Sequence, residues 1–66
     1  MVWVFAREGR QLRCEVLRTG APAGYQLIVT PPDRPRVVEA LADPAALVDR
    51  LAAVTADIHT DGWQLA

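Results

Sequence analysis

The sequence predicts an α+β fold: an antiparallel meander of three to four strands with one C-terminal helix packed on one face (ββββα). Two observations support it. Strand-like runs fill the first forty or so of the 66 residues, and one capped amphipathic helix follows them. The connections are too short for parallel crossovers, which need about a dozen residues. We expect one domain, with the sheet at about 1–41, the helix at about 44–60 and a C-terminal tail at 61–66.

Four segments have the composition of strands. The first is β-branched and aromatic, the second alternates strictly between apolar and polar residues, the third is rich in strand formers, and the fourth is shorter and weaker. Gly, Pro and charged residues of the kind that form turns separate them. The segments are Val2-Trp3-Val4-Phe5, Gln11-Leu12-Arg13-Cys14-Glu15-Val16, Tyr25-Gln26-Leu27-Ile28-Val29-Thr30 and Arg36-Val37-Val38-Glu39.

The helix has clear start and stop signals. Asp43 can accept hydrogen bonds from the first-turn amides, and Pro44 suits the first helical position because it lacks an N–H. Gly62 supplies the left-handed residue that commonly ends a helix, and Trp63 can fold back on the last turn. An apolar stripe runs between these ends at helical spacing. Its members are Leu47, Leu51, Val54 and Ile58, with Val48 beside them.

The register of the first hairpin determines which aromatic side chains lie beneath the helix. A two-residue turn at Glu8-Gly9 places Trp3 and Phe5 on the helix side. A three-residue loop with a left-handed Gly9 points both of them outward. Burying Trp and Phe gains about 1–3 kcal/mol more than burying two Val, so we expect the first register.

One helix covers only one sheet face, and the other face is half aliphatic and half polar in the expected register. A chain this short has a core that contributes about 3–5 kcal/mol of net stability, so a partner would help it considerably. We therefore expect this face to bind a second copy or another protein, which predicts a non-enzymatic accessory protein. The expected interface residues are Val2, Val4, Arg13, Leu17 and Ile28.

Charge is distributed unevenly along a chain whose net charge is −1. Residues 1–36 contain six Arg and three carboxylates, a net of +3, whereas residues 37–66 contain one Arg and five carboxylates, a net of −4. The basic half could contact nucleic acid, the two halves could attract each other between subunits, or the charges could simply be solvated.

Absent residue types exclude several kinds of chemistry. The chain contains no Ser, Lys or Asn, which excludes seryl nucleophiles, Schiff-base lysines and the phosphate-loop Lys. All seven cations are Arg and Ala is the commonest residue, a composition typical of GC-rich bacterial genomes. We expect no enzyme activity and no cofactor.

The remaining reactive side chains do not form a site in the sequence. Cys14 lies between apolar strand neighbours and is expected to be a core thiol. His59 is expected to be a capping or surface residue near the helix C-terminus. Asp57 and Asp61 flank it at spacings of two, which point side chains apart on a helix, so no metal site is expected.

We expect a cytoplasmic protein. One cysteine permits no intrachain disulfide, which agrees with a reducing compartment. The apolar segment 1–6 is too short for a signal-peptide core and has no basic leader, and no run reaches 18 apolar residues. No membrane partner is expected.

Several short motifs resemble those of small uncharacterised bacterial proteins of this length, over nearly the whole chain. They are the Trp3-Val4-Phe5 strand, the Glu8-Gly9 turn, the Gly24-Tyr25 strand opening and the terminal Gly62-Trp63. This resemblance implies the strands-then-helix fold and no particular activity.

The order of elements is also similar to that of the Whirly and Pur-type single-stranded nucleic-acid-binding domains, which are meander-plus-helix units that often dimerise. Such sheets bind strands through cations and aromatic platforms. The resemblance implies a single-stranded nucleic-acid-binding function as the alternative. Its residues here would be Trp3, Phe5, Arg13, Arg18 and Tyr25.

Overall fold

A computed structural model describes residues 1–20 and 24–66. It contains one antiparallel sheet with the spatial order β4-β3-β2-β1-β5, and one helix that follows the four main strands. The predicted ββββα order is confirmed, and the tail adds a short fifth strand. The elements are β1 (Val2–Arg7), β2 (Arg10–Arg18), β3 (Tyr25–Thr30), β4 (Val37–Leu41), α1 (Pro44–Thr60) and β5 (Gln64–Leu65).

A two-residue turn joins β1 to β2 and confirms the expected register. Glu8 and Gly9 have φ angles of 52° and 76°, as a type I′ turn requires at both central positions. Trp3 consequently lies opposite Cys14 and Phe5 opposite Leu12. Both aromatic side chains are therefore on the side of the sheet that α1 covers.

The rest of the meander makes β2 the central strand of the sheet. Cys14 of β2 lies opposite Val29 of β3, and Ile28 of β3 lies opposite Val38 of β4. The predicted fourth strand forms, and it is an edge strand with β3 as its only neighbour in the described residues. Residues 21–23, within the predicted turn between β2 and β3, lie outside the described residues.

The helix begins and ends where its local signals predict. The Asp43 side chain accepts a hydrogen bond of 2.8 Å from the Ala46 N–H. At the other end Gly62 has a φ of 88°, its N–H donates to the His59 carbonyl, and the Trp63 N–H donates to the Ile58 carbonyl. This pair of bonds is a Schellman motif, which satisfies carbonyls that the helix leaves free.

The tail continues beyond this cap as β5, which the sequence did not predict. Trp63 is 5% exposed and anchors the reversed chain, so the following residues run beside β1. Leu65 lies opposite Phe5, and the Ala66 N–H donates to the Val4 carbonyl at 2.9 Å. The tail thus extends the sheet at its β1 edge.

The core lies between the sheet and α1. Val48 is the exception among the predicted helix residues, since it is 64% exposed. It follows Leu47 by one residue, about 100° around the helix, and therefore lies on the flank. The buried core residues are Phe5, Leu12, Cys14, Val16, Leu27, Leu47, Ile58 and Trp63.

We predict that Glu8→Asn stabilises the protein by about 1 kcal/mol, because Asn tolerates the left-handed conformation that Glu8 adopts at a steric cost. Urea unfolding would measure the change. Glu8→Ala is the matched control, because it retains the strained conformation and should bring no comparable gain. Equal stability of the two variants would contradict the turn type described here.

Candidate interaction surface

The sheet face opposite α1, which we call the open face, contains all five residues of the expected interface. Side chains alternate between the two faces along each strand, and the register aligns them across the sheet. The strand residues on this face are Val2, Val4, Ala6, Gln11, Arg13, Glu15, Leu17, Gln26, Ile28, Thr30, Val38, Ala40 and Gln64.

Aliphatic side chains surround the middle of the open face. Ile28 is only 5% exposed although it lies on the opposite side of β3 from the core residue Leu27. Its cross-strand neighbours, Glu15 and Val38, flank it on either side. Three other aliphatics, Val2, Leu17 and Val38, are about half exposed. Val4 is partly buried.

Val38 is a member of this surface that the sequence analysis did not assign. The predicted fourth segment, Arg36-Val37-Val38-Glu39, is too short for its pattern to assign its residues to a face. Pairing with Ile28 settles the orientation of Val38, because directly opposed residues project to the same side. Its neighbour Val37 projects to the helix side of the same edge strand.

One ion pair lies at the centre of the open face. Arg13 and Glu15 are two apart on β2, so they share a face, and their Nε and Oε1 atoms are 3.3 Å apart. The Glu15 side chain is only 20% exposed. Among the described strand residues of this face there is no other charge, so the surface as a whole is neutral.

The residues of the nucleic-acid alternative are divided between the two faces. Phe5 is buried beneath α1 and Trp3 is half buried on the same side. Arg18 lies over the Tyr25 ring at 5.9 Å, also on the helix side but at the far end of β2. Arg13 is on the open face. The structure therefore brings only one cation and one aromatic ring of this set together.

A shallow apolar groove of about 350 Å³ lies between Trp3 and the flank of α1. The flank contributes Val48, Leu51, Ala52 and Thr55. The Thr55 hydroxyl donates to the Leu51 carbonyl at 2.9 Å, so it is already engaged. No charged side chain lines the groove, and most of its surface is apolar. Sequence analysis missed it because it placed Val48 with the core stripe.

The two reactive side chains differ in exposure, since Cys14 is buried and His59 is exposed. Cys14 is fully buried and free, and burial, followed by the nearby Glu15 carboxylate, raises the pKa of its thiol. The His59 ring packs edge-on against Phe5, with 5.8 Å between ring centroids. Within residues 1–20 and 24–66 no group of three or more His, Cys, Asp or Glu is placed to hold a metal ion.

Comparison with protein-family models, curated proteins and solved structures found no match to this chain. No helix formed by the described residues combines the length and the apolar character needed to cross a membrane. The placement of the chain's own side chains is therefore the basis for proposing a function.

We predict that Cys14 makes stability fall in alkaline solution. Because the folded thiol has a raised pKa, the unfolded chain ionises first, near the ordinary value of 9.0, and releases more protons than the folded chain. The Cys14 contribution should be constant below that pH and decrease as pH rises through the folded pKa. Urea unfolding from pH 7 to 10 would measure it.

Cys14→Ala is the control, since other groups also titrate in this range. We expect the decline to be smaller in this variant than in the wild type. Identical pH profiles for the two chains would contradict a thiol that burial keeps neutral.

Proposed function

We propose that this protein is a small non-enzymatic interaction protein that forms a homodimer through the open face. The observation that carries the proposal is the set of three half-exposed aliphatics around Ile28 on a sheet face that α1 does not cover. Removing their apolar surface from water would stabilise an association by about 25 cal/mol for each Å² buried.

The size of the face favours a weak dimer. Four strands about 4.8 Å apart and about 20 Å long present a flat area of roughly 400 Å². Specific interfaces commonly bury about 800 Å² on each partner, and contacts at the low end are weak or transient. We therefore expect dissociation constants in the micromolar range.

Charge favours a second copy of the chain as the partner. A nucleic-acid site neutralises phosphates with an excess of cations. The open face instead contains the cation Arg13 beside the anion Glu15, which makes it neutral. A face with one charge of each sign can be complementary to itself under a two-fold rotation.

The placement of the reactive groups supports a non-catalytic role in the cytoplasm. Cys14 is buried in the core with a raised pKa, so little of it is the thiolate that acts as a nucleophile. A free thiol also agrees with a reducing compartment, and we therefore propose a cytoplasmic location.

We predict that Val38→Asp weakens the dimer at least about tenfold, because it places a carboxylate within the apolar part of the interface. Val37→Asp is the matched control. It lies on the same edge strand, is 62% exposed, and projects to the helix side. Sedimentation equilibrium from micromolar to hundreds of micromolar concentration would compare both variants with the wild type.

A wild-type chain that remains monomeric throughout this range would contradict the proposed function. So would equal weakening by the two variants. Leu17→Asp gives a second probe of the same face, whereas Ile28 is unsuitable because burial makes its replacement destabilising in the monomer. Oligonucleotide binding that weakens steeply with salt would instead support the nucleic-acid-binding alternative.

A further inference from the structure

We infer that the two copies pack with their β2 strands antiparallel, so that Arg13 of each chain pairs with the partner's Glu15. This inference rests on the proposed function, because it specifies the partner and its register on the open face. The observation behind it is the ion pair at the centre of that face, on the central strand of the sheet.

A face-to-face dimer with two-fold symmetry has its axis in the plane between the sheets. An axis that runs along β2, directly over that strand, would place Arg13 over the partner's Arg13 and Glu15 over the partner's Glu15. Like charges would then oppose each other in a partly dry interface, which strongly disfavours that arrangement.

An axis that crosses β2 at the level of Cys14 gives the opposite result. Because Arg13 and Glu15 lie one residue to either side of that level, the rotation places each of them over its opposite charge on the partner. Packed sheets are about 10 Å apart, which an Arg side chain can largely span. A guanidinium has five N–H donors, so Arg13 can bind its own Glu15 and the partner's together.

The same axis brings one pair of aliphatic side chains together, whereas it places Ile28 over the partner's Thr30 and Leu17 over the partner's Gln11. The cross-strand row that contains Glu15 lies over the partner's row that contains Arg13, which places Val2 over the partner's Val4. Sheets in such packings are rotated by about 30° relative to each other. The ion pair lies near the centre of the face, about which the sheets are rotated, so this rotation displaces its side chains least.

The test mixes wild-type chain with the doubly reversed variant Arg13→Glu/Glu15→Arg. Each chain alone retains opposite charges across the proposed axis, so each should form a homodimer of similar strength. A heterodimer would oppose like charges. Native mass spectrometry of the equilibrated mixture should show heterodimer at least about tenfold below its statistical share of one half.

The control reverses the ion pair between Glu39 and Arg50 on the helix side of the sheet, where Nε and Oε2 are 2.8 Å apart. Mixed with wild type, Glu39→Arg/Arg50→Glu should give the statistical share. Heterodimer at or above one half in the Arg13 and Glu15 mixture would overturn the inferred axis, while leaving the homodimer itself intact. A monomeric wild type would overturn the proposed function, and the inference with it.

A second pair of variants tests whether these two side chains meet the partner's at all, and it does not require the doubly reversed chain to fold. Arg13→Glu and Glu15→Arg each place two like charges on the open face, so each should dissociate when alone. Mixing the two should restore a heterodimer. If mixing does not restore one, the charged pair of one chain does not contact that of the partner, and the inference fails, whereas the choice of axis is tested by the doubly reversed chain.

Discussion

The two-residue turn at Glu8-Gly9 is the constraint on which the rest of the structure depends. Side chains alternate along a strand, so a slip of one residue would exchange the two faces of the first hairpin. With this turn, Trp3 and Phe5 lie beneath the helix, and β2 presents Arg13 outward. The core and the open face are therefore two consequences of one local backbone geometry.

The open face is the side of the sheet on which the described residues place no other element. One helix of 17 residues can cover one side of this sheet. The tail pairs with β1 at the edge of the sheet and does not cover the open face. A core this small provides a narrow margin of stability. A second copy would remove apolar surface from water on the face that the chain itself leaves exposed, so that dimerisation would also stabilise the fold.

Features that depend on nearby residues could be predicted from the sequence, whereas features that depend on distant contacts could not. Asp43 and Gly62 mark the helix ends because capping involves only adjacent backbone groups. The local pattern predicts that Trp63 folds back on the last turn, but the fifth strand forms by pairing with β1, a contact between distant parts of the chain that no local pattern reveals. The side to which Val38 projects, and the shielding of Ile28, both require the pairing of β3 with β4.

Cross-strand nuclear Overhauser effects of the first hairpin test the central claim most directly. Met1 and Val16 exchange backbone hydrogen bonds, so the next pair, Val2 with Glu15, is a non-hydrogen-bonded pair whose Hα atoms are close. The account predicts a strong Hα–Hα contact there. Contacts displaced by one residue, with Trp3 opposite Arg13, would contradict it and turn the aromatic side chains outward.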